Sequence, residues 1–138
     1  MLMQEIIRSL LTAVLFFAVM ITLTLVIETP IIVRSGITDN RAYIRGVNIV
    51  TNAALHLILA GIVYLETVRQ AGIFSTLRIV WFIFAEALLI PLAEALAYRK
   101  ISGAGTKRIF AFTYLANLAS CAAGLILETV IRAVGLVN

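Results

Sequence analysis

The amino-acid sequence predicts an all-α integral membrane protein: a four-transmembrane-helix bundle built from two parallel hairpin repeats in one membrane domain, 1–138. Of the 138 residues, 62% are hydrophobic and 13% are charged, too few polar residues to cover a soluble domain. The apolar runs are unbroken rather than alternating, which disfavours β-strands. A spanning helix needs about 20 apolar residues, so the chain has room for about four helices and no soluble domain.

The four predicted helices follow the apolar stretches Ile6–Ile27, Val47–Leu65, Ile79–Tyr98 and Ile109–Ile131. The first is too long for the apolar region of a signal peptide and lacks a cleavage pattern after it, so we expect it to be retained. A residue before proline avoids the helical conformation, so Pro30 predicts that helix one ends at about Glu28. Pro91 lies inside the third stretch and predicts a kink that frees the carbonyl of Ala87.

The chain also contains an eroded internal repeat. The segment from Glu28 to Leu65-Glu66-Thr67-Val68 recurs from Glu94 to Leu127-Glu128-Thr129-Val130. The repeats would cover about 1–72 and 73–138, and because each crosses the membrane twice, both would enter it in the same direction. This arrangement predicts a pseudo-two-fold axis along the membrane normal, and it makes polar residues at equivalent positions the first candidates for function.

The basic residues predict the orientation, because cytoplasmic loops hold the excess of Lys and Arg. Loops one and three carry seven of them: Arg34, Arg41, Arg45, Arg99, Lys100, Lys107 and Arg108. The middle loop and the termini carry four: Arg8, Arg69, Arg78 and Arg132. We therefore expect loops one and three in the cytoplasm and both termini outside it.

This topology accounts for the net charge of +4 without a nucleic-acid partner. Four of the basic residues flank a short turn in the third loop: Arg99, Lys100, Lys107 and Arg108. Clusters of this size beside a membrane helix bind anionic lipid headgroups or a partner protein. Membrane lipids and a membrane-protein partner are therefore the expected contacts of this loop.

Four polar residues occupy equivalent positions in the two repeats: Glu28 and Glu94, Asn52 and Asn117. At 1.5 Å per residue, all four lie in the cytoplasmic half of the membrane. If the repeats pack about their axis, two carboxyl groups and two carboxamides would converge on a site for a cation, an amine or a proton. Alternatively, the acids pair with the basic loops at the membrane interface, and the amides hydrogen-bond across helices.

Glu86 and His56 extend this candidate site. Glu86 lies well within the third apolar stretch, where an ionised carboxylate costs several kcal/mol, so it must be neutral, paired or open to water. We expect it to be the central residue of the site. His56, the only histidine, follows Asn52 by one helical turn and would titrate near physiological pH. Alternatively, His56 is a buried packing residue.

Small residues predict close helix packing within the chain or between chains. Ala116, Ser120 and Gly124 follow one another at helical spacing in the fourth stretch, and Ala54 and Gly61 lie one heptad apart in the second. The only cysteine, Cys121, excludes an internal disulfide and a Cys-based metal site in one chain. No metal-hydrolase or Ser-His-Asp spacing is present, so no catalytic residue, metal site or cofactor is predicted.

The leading functional hypothesis is a transport protein, or a transport-complex subunit, whose intramembrane carboxylates bind a cation, an amine or a proton. Four helices enclose little volume, so we expect a homo-oligomer or a larger membrane-protein partner. The first alternative is a non-catalytic accessory or scaffold subunit. The second is an intramembrane enzyme acting on a lipid or quinone, although no nucleophile or cofactor motif supports it.

Overall fold

The computed structural model describes residues 2–69, 80–81 and 83–133, and these residues form helices and short turns without a strand. The described helices are α1 (Leu2–Arg34), α2 (Arg41–Arg69), α3 (Ile90–Arg99) and α4 (Thr106–Ala133). The predicted all-helical class is therefore confirmed. Most of the middle loop lies outside the described residues, and with it Arg78 and the boundary between the predicted repeats. The side chains of Arg69 and Arg132 are not described either.

Three helical stretches are long and apolar enough to cross a membrane: Phe17–Arg34, Arg41–Glu66 and Thr106–Ile131. They indicate an integral membrane protein, because stretches of 18 to 26 such residues match the thickness of the hydrocarbon core. The third predicted stretch, Ile79–Tyr98, lies partly outside the described residues.

Helix α1 does not end at Glu28 as expected. It continues through Pro30 to Arg34, because membrane helices tolerate proline where neighbouring groups satisfy the freed backbone. The chain leaves the helix just after Arg34, at Gly36, whose φ of 68° is the left-handed conformation that glycine adopts most readily. Its amide donates to the carbonyl of Val33 at 3.0 Å and closes the last turn. Glu28 therefore lies six residues, a rise of about 9 Å, before the last residue of a continuous helix rather than at its boundary.

The segment before α3 forms a π-helical turn, Ala85–Leu89. The amide of Ile90 donates to the carbonyl of Ala85, five residues earlier. Pro91 follows directly and has no amide hydrogen to donate. The wider π turn is found where the sequence predicted a kink at this proline. The hydroxyl of Tyr114 in α4 donates to the carbonyl of Leu88 at 3.4 Å and helps to satisfy this irregular backbone.

Loops one and three meet at one end of the bundle, which we call the loop end. The hydroxyl of Ser102 in loop three donates to the carbonyl of Ile37 in loop one at 2.6 Å. The Ile37 side chain is buried in the main apolar core, which also contains Ile32, Ile44, Ala95, Tyr98, Ile109 and Ala116. Asn40 begins α2 by accepting the Tyr43 amide at 3.0 Å. The best-packed part of the molecule therefore lies beside the two loops.

Helices α1 and α3 each pack against both α2 and α4. A second, smaller apolar cluster of Leu55, Ala85 and Ile90 joins α2 to the π turn and α3. The division of these helices into two equivalent hairpins stays a prediction.

Candidate functional site

All four helices contribute polar side chains to the interior of the bundle. The buried ones are Glu28, Thr29, Asn48, Asn52, Glu94, Thr113, Asn117 and Ser120. On α4, three of them share one face, because Thr113, Asn117 and Ser120 are spaced four and three residues apart. The interior of this apolar bundle therefore contains a continuous polar region.

Glu94 of α3 lies at the centre of this region and is completely buried. The amide nitrogen of Asn117 on α4 donates to its Oε2 at 2.7 Å. The Thr51 hydroxyl of α2 lies 2.8 Å from its Oε1. Both carboxyl oxygens thus have a hydrogen-bonding partner, and Glu94 joins three helices.

Glu28 of α1 is 1% exposed. Its Oε1 lies 2.5 Å from the hydroxyl of Ser120 on α4, whereas its Oε2 is buried without a partner. The charges of Glu28 and Glu94 are close enough to act on each other. We call Glu28, Thr51, Glu94, Asn117 and Ser120 the carboxyl cluster. Its hydrogen bonds connect all four helices.

Helix direction explains why these side chains meet. A Cα–Cβ bond leans toward the N-terminus of its helix. The N-termini of α2 and α4 lie at the loop end, whereas α1 and α3 reach the loop end with their C-termini. Glu28 and Glu94 therefore lean away from the loop end, while Thr51, Asn117 and Ser120 lean toward it.

Asn52 does not contact either carboxyl group. Its amide donates to the backbone carbonyl of Asn48 at 2.9 Å, and the preceding residue, Thr51, contacts Glu94 instead. Asn48 donates to the carbonyl of Ile44 at 3.0 Å and to the Tyr98 hydroxyl at 3.4 Å. Its Oδ1 is buried without a partner.

Sequence reasoning missed Thr51, Asn48 and Tyr98, and it assigned Ser120 to packing alone. One signal was available for Asn48: it precedes Asn52 by four residues, as Thr113 precedes Asn117. A polar pair at this spacing in both halves marks the same inward face twice. Thr51 and Ser120 carried no comparable signal.

Glu86 lies beside the carboxyl cluster, whereas His56 packs against α1. Glu86 is half-buried in the π turn, and its charge acts on both Glu94 and Glu28. The half-buried His56 packs its ring edge to face against Phe17 of α1, with ring centroids 4.9 Å apart. The structure thus places Glu86 beside the carboxyl cluster and His56 against an aromatic side chain of α1.

The small residues divide between two environments. Ala116, Ser120 and Gly124 lie on the buried face of α4, whereas Ala54 and Gly61 of α2 are exposed. A Cβ added to Gly124 would lie 2.7 Å from Cε of Met20, while one added to Gly61 would meet nothing within 4 Å. Only the α4 residues pack helices together within this chain.

These two glycines give a matched test of the packing. We expect Gly124→Ala to be less stable than Gly61→Ala, because the methyl group that it adds must displace Cε of Met20, which offsets the gain in helix propensity that both variants share. Gly61→Ala should be neutral or slightly stabilising, since alanine is the better helix former. Thermal unfolding in detergent would compare the two variants. Equal melting temperatures would contradict the close contact between α1 and α4.

The seven basic residues of loops one and three and their flanks are all exposed at the loop end. A Cβ added to Gly36 would lie 3.3 Å from Nη2 of Arg108, which places this guanidinium directly over loop one. Asp39 is the one acidic residue of loops one and three and is also exposed. The loop end therefore presents a strongly positive surface.

Among the described residues, no basic side chain acts on the acids of the carboxyl cluster. Among the described residues, the groups that act on Glu28 and Glu94 are hydroxyls, amides and other acids. Two ionised carboxylates in this apolar interior would repel each other and lose their hydration, at a cost of several kcal/mol for each ion. Simultaneous ionisation of both acids is therefore unfavourable in this site.

A metal ion has little support in this arrangement. Among the residues that the structure describes, no group of three or more His, Cys, Asp or Glu side chains could hold one.

No protein-family model, curated protein or solved structure matches the chain.

Proposed function

We propose that this chain is a small membrane transport protein, or a subunit of a transport complex, in which Glu28 and Glu94 form an intramembrane binding site for a proton, a cation or an amine. The observation that carries this proposal is the burial of both carboxyl groups, 1% and 0% exposed, without a basic partner among the described residues.

Fold stability alone does not account for two such acids. Replacing buried charged groups by apolar residues of similar volume is often neutral or stabilising. Acids inside membrane segments are costly and usually mark ion pathways or proton relays. Three hydrogen-bonding side chains of α2 and α4, Thr51, Asn117 and Ser120, position the two acids in the carboxyl cluster, which is what a binding site requires.

Other residues have supporting roles in this proposal. Asn117 holds Glu94, and Asn52 holds the backbone of α2 beside it. Glu86 is the half-buried acid beside the cluster, and His56 stands beside α1 as a second titratable group. Loops one and three face the cytoplasm in this proposal, and the four helices work as a homo-oligomer or with a larger partner.

Proteoliposomes provide the test. Purified protein would be reconstituted with a trapped pH-sensitive dye, and proton movement would be driven by a membrane potential or by gradients of Na⁺, K⁺ or ethylammonium. We expect flux in the wild-type protein and only the leak of empty liposomes in Glu28→Gln and Glu94→Gln. Glu86→Gln should abolish the pH dependence of the flux.

Asp39→Asn is the matched control, because it removes an exposed acid of loop one by the same chemical change. It should transport as the wild type does. Absence of flux under every gradient, from protein shown to be folded, would contradict a self-contained transport site.

The exposed positive loop end favours a second candidate, an accessory subunit that docks a partner. In that case Glu86→Gln would be tolerated, and neutralising one set of residues together would break the complex: Arg99, Lys100, Lys107 and Arg108. Native mass spectrometry of protein released gently from its own membrane would separate the two functions. A homo-oligomer favours the transporter, and a stoichiometric complex with a larger protein favours the subunit.

A further inference from the structure

The hydroxyl of Ser120 has two possible acceptors and one hydrogen. Its Oγ lies 2.5 Å from Oε1 of Glu28 and 3.0 Å from the carbonyl oxygen of Asn117. A backbone carbonyl can only accept, and a serine hydroxyl donates once. If Ser120 donates to the carbonyl, the short contact with Glu28 needs a proton on the carboxyl group. If Glu28 is ionised, Ser120 must donate to it.

Thr51 stands in the same relation to Glu94. Its Oγ1 lies 2.8 Å from Oε1 of Glu94, 3.0 Å from the carbonyl oxygen of Val47 and 3.2 Å from that of Asn48. Again one hydrogen serves a carboxyl oxygen and backbone acceptors of the same helix. Each acid of the cluster therefore faces a hydroxyl that can either accept from it or donate to it.

Asn117 determines which oxygen of Glu94 can carry a proton. One of its amide hydrogens serves Oε2 of Glu94 at 2.7 Å, and the other serves the carbonyl of Thr113 at 3.1 Å. Because an amide nitrogen only donates, Oε2 stays an acceptor. A proton on Glu94 must then lie on Oε1, toward Thr51. In Glu28 the corresponding oxygen is Oε1, which leaves the unpartnered Oε2 as an uncharged carbonyl oxygen.

The direct contacts of both acids favour a proton over a larger cation as the ligand. The acids meet their partners at 2.5, 2.7 and 2.8 Å, which are direct hydrogen-bond distances. A metal ion would need several oxygen ligands around it, whereas Asn117 presents amide hydrogens to the site. An ammonium group would have to displace both Asn117 and Thr51 from Glu94.

We infer that the ligand of the carboxyl cluster is the proton, and that Thr51 and Ser120 reverse their hydrogen bonds when Glu94 and Glu28 gain or lose it. This inference rests on the proposed function and narrows its ligand. In the protonated state, Oε1–H of Glu94 donates to Thr51, whose hydroxyl donates to the carbonyl of Val47. When the proton leaves to water, the Thr51 hydroxyl turns and donates to the carboxylate. Ser120 does the same between Glu28 and the carbonyl of Asn117.

Each described helix that packs against the two acids presents its own titratable or polar groups to them. Helix α3 and its π turn present Glu86, a third acid, and Tyr98, an uncharged phenol. Cys121 of α4 lies within the field of Glu86. Helix α2 presents Thr51, an uncharged hydroxyl, to Glu94. Among the described residues, the groups that act on the two acids include no Lys or Arg, so no basic side chain there offsets their charge.

Infrared difference spectroscopy of the purified protein tests this inference directly. A protonated carboxyl group has a C=O stretching band that an ionised one lacks, and the band shifts in D₂O. We expect acidification to increase the intensity of this band in the wild type. Glu28→Gln and Glu94→Gln should each remove the part of the intensity that comes from the replaced acid. Ser120→Ala and Thr51→Val should each move one component of the band, because its hydrogen-bond partner is lost.

The controls are Ser35→Ala and Thr22→Val, whose hydroxyls donate to the carbonyls of Ile32 and Ala18 on their own helix. They should leave the band unchanged. A band that stays in place in Ser120→Ala and Thr51→Val, or no band at any pH at which the protein is folded, would overturn the inference.

The two failures are distinguishable. If liposomes show flux but the carboxyl band does not depend on the two hydroxyls, the transport function stands and the reversal of the Thr51 and Ser120 hydrogen bonds is rejected. A titrating, hydroxyl-dependent band without flux would keep this reversal and reject transport.

Discussion

Asn117→Asp is expected to lower the free energy of unfolding by about 3 kcal/mol or more. The side chain is 2% exposed and donates to Glu94 at 2.7 Å. The substitution keeps the shape of the side chain but replaces the donor by an acceptor, so it adds a third acid to a site without a basic partner. Purified protein in detergent would be unfolded by heat or by SDS, and helix content would be followed by circular dichroism.

Asn40→Asp is the matched control for this result. The same chemical change occurs there at an exposed helix start, where the side-chain oxygen accepts the amide of Tyr43. Aspartate serves as well as asparagine at this position, so stability should change by less than about 0.5 kcal/mol. Equal stability of Asn117→Asp and Asn40→Asp would contradict the contact between Asn117 and Glu94.

Ala116→Leu is expected to destabilise the bundle by about 1–3 kcal/mol. Ala116 is completely buried in the main core, one residue before Asn117. Three added carbon atoms there must push α4 away from its neighbours, which would also lengthen the contacts of the carboxyl cluster. Thermal unfolding measures the loss of stability, and the infrared carboxyl band measures the disturbance of the cluster.

Ala111→Leu places the same side chain on the exposed face of α4. Leucine suits a lipid-facing position, so this variant should fold as the wild type does. If Ala111→Leu is as damaging as Ala116→Leu, the assignment of the inner face of α4 is wrong.

Composition and hydropathy were sufficient to predict the all-helical class, because they depend only on how many apolar residues follow one another. Helix boundaries depended on local detail. Pro30 was expected to end α1 near Glu28, but the helix continues to Arg34 and the chain leaves it at Gly36. The cost of a proline in a helix depends on what its neighbours can satisfy, and that information is tertiary.

The carboxyl cluster was only partly predictable, because some of its contacts also depend on tertiary structure. Comparing the two halves of the sequence drew attention to Glu94 and Asn117, and the structure brings these two side chains together. The comparison of the two halves could not pair Glu28 with Ser120, because these residues are 92 positions apart. That contact depends on the register of α1 against α4, and Gly124 and Met20 help to set this register by packing closely.

The contact between the first and last helices has a consequence for biosynthesis. Glu28 leaves the ribosome 92 residues before Ser120, an interval of roughly 5 to 18 s at about 5–20 residues per second. Throughout that time the acid lacks the Ser120 hydroxyl that contacts it in the finished bundle. A chain that stops before α4 also leaves Glu94 without Asn117. The two carboxyl groups that complete the mature bundle would therefore mark an unfinished one as a substrate for membrane quality control.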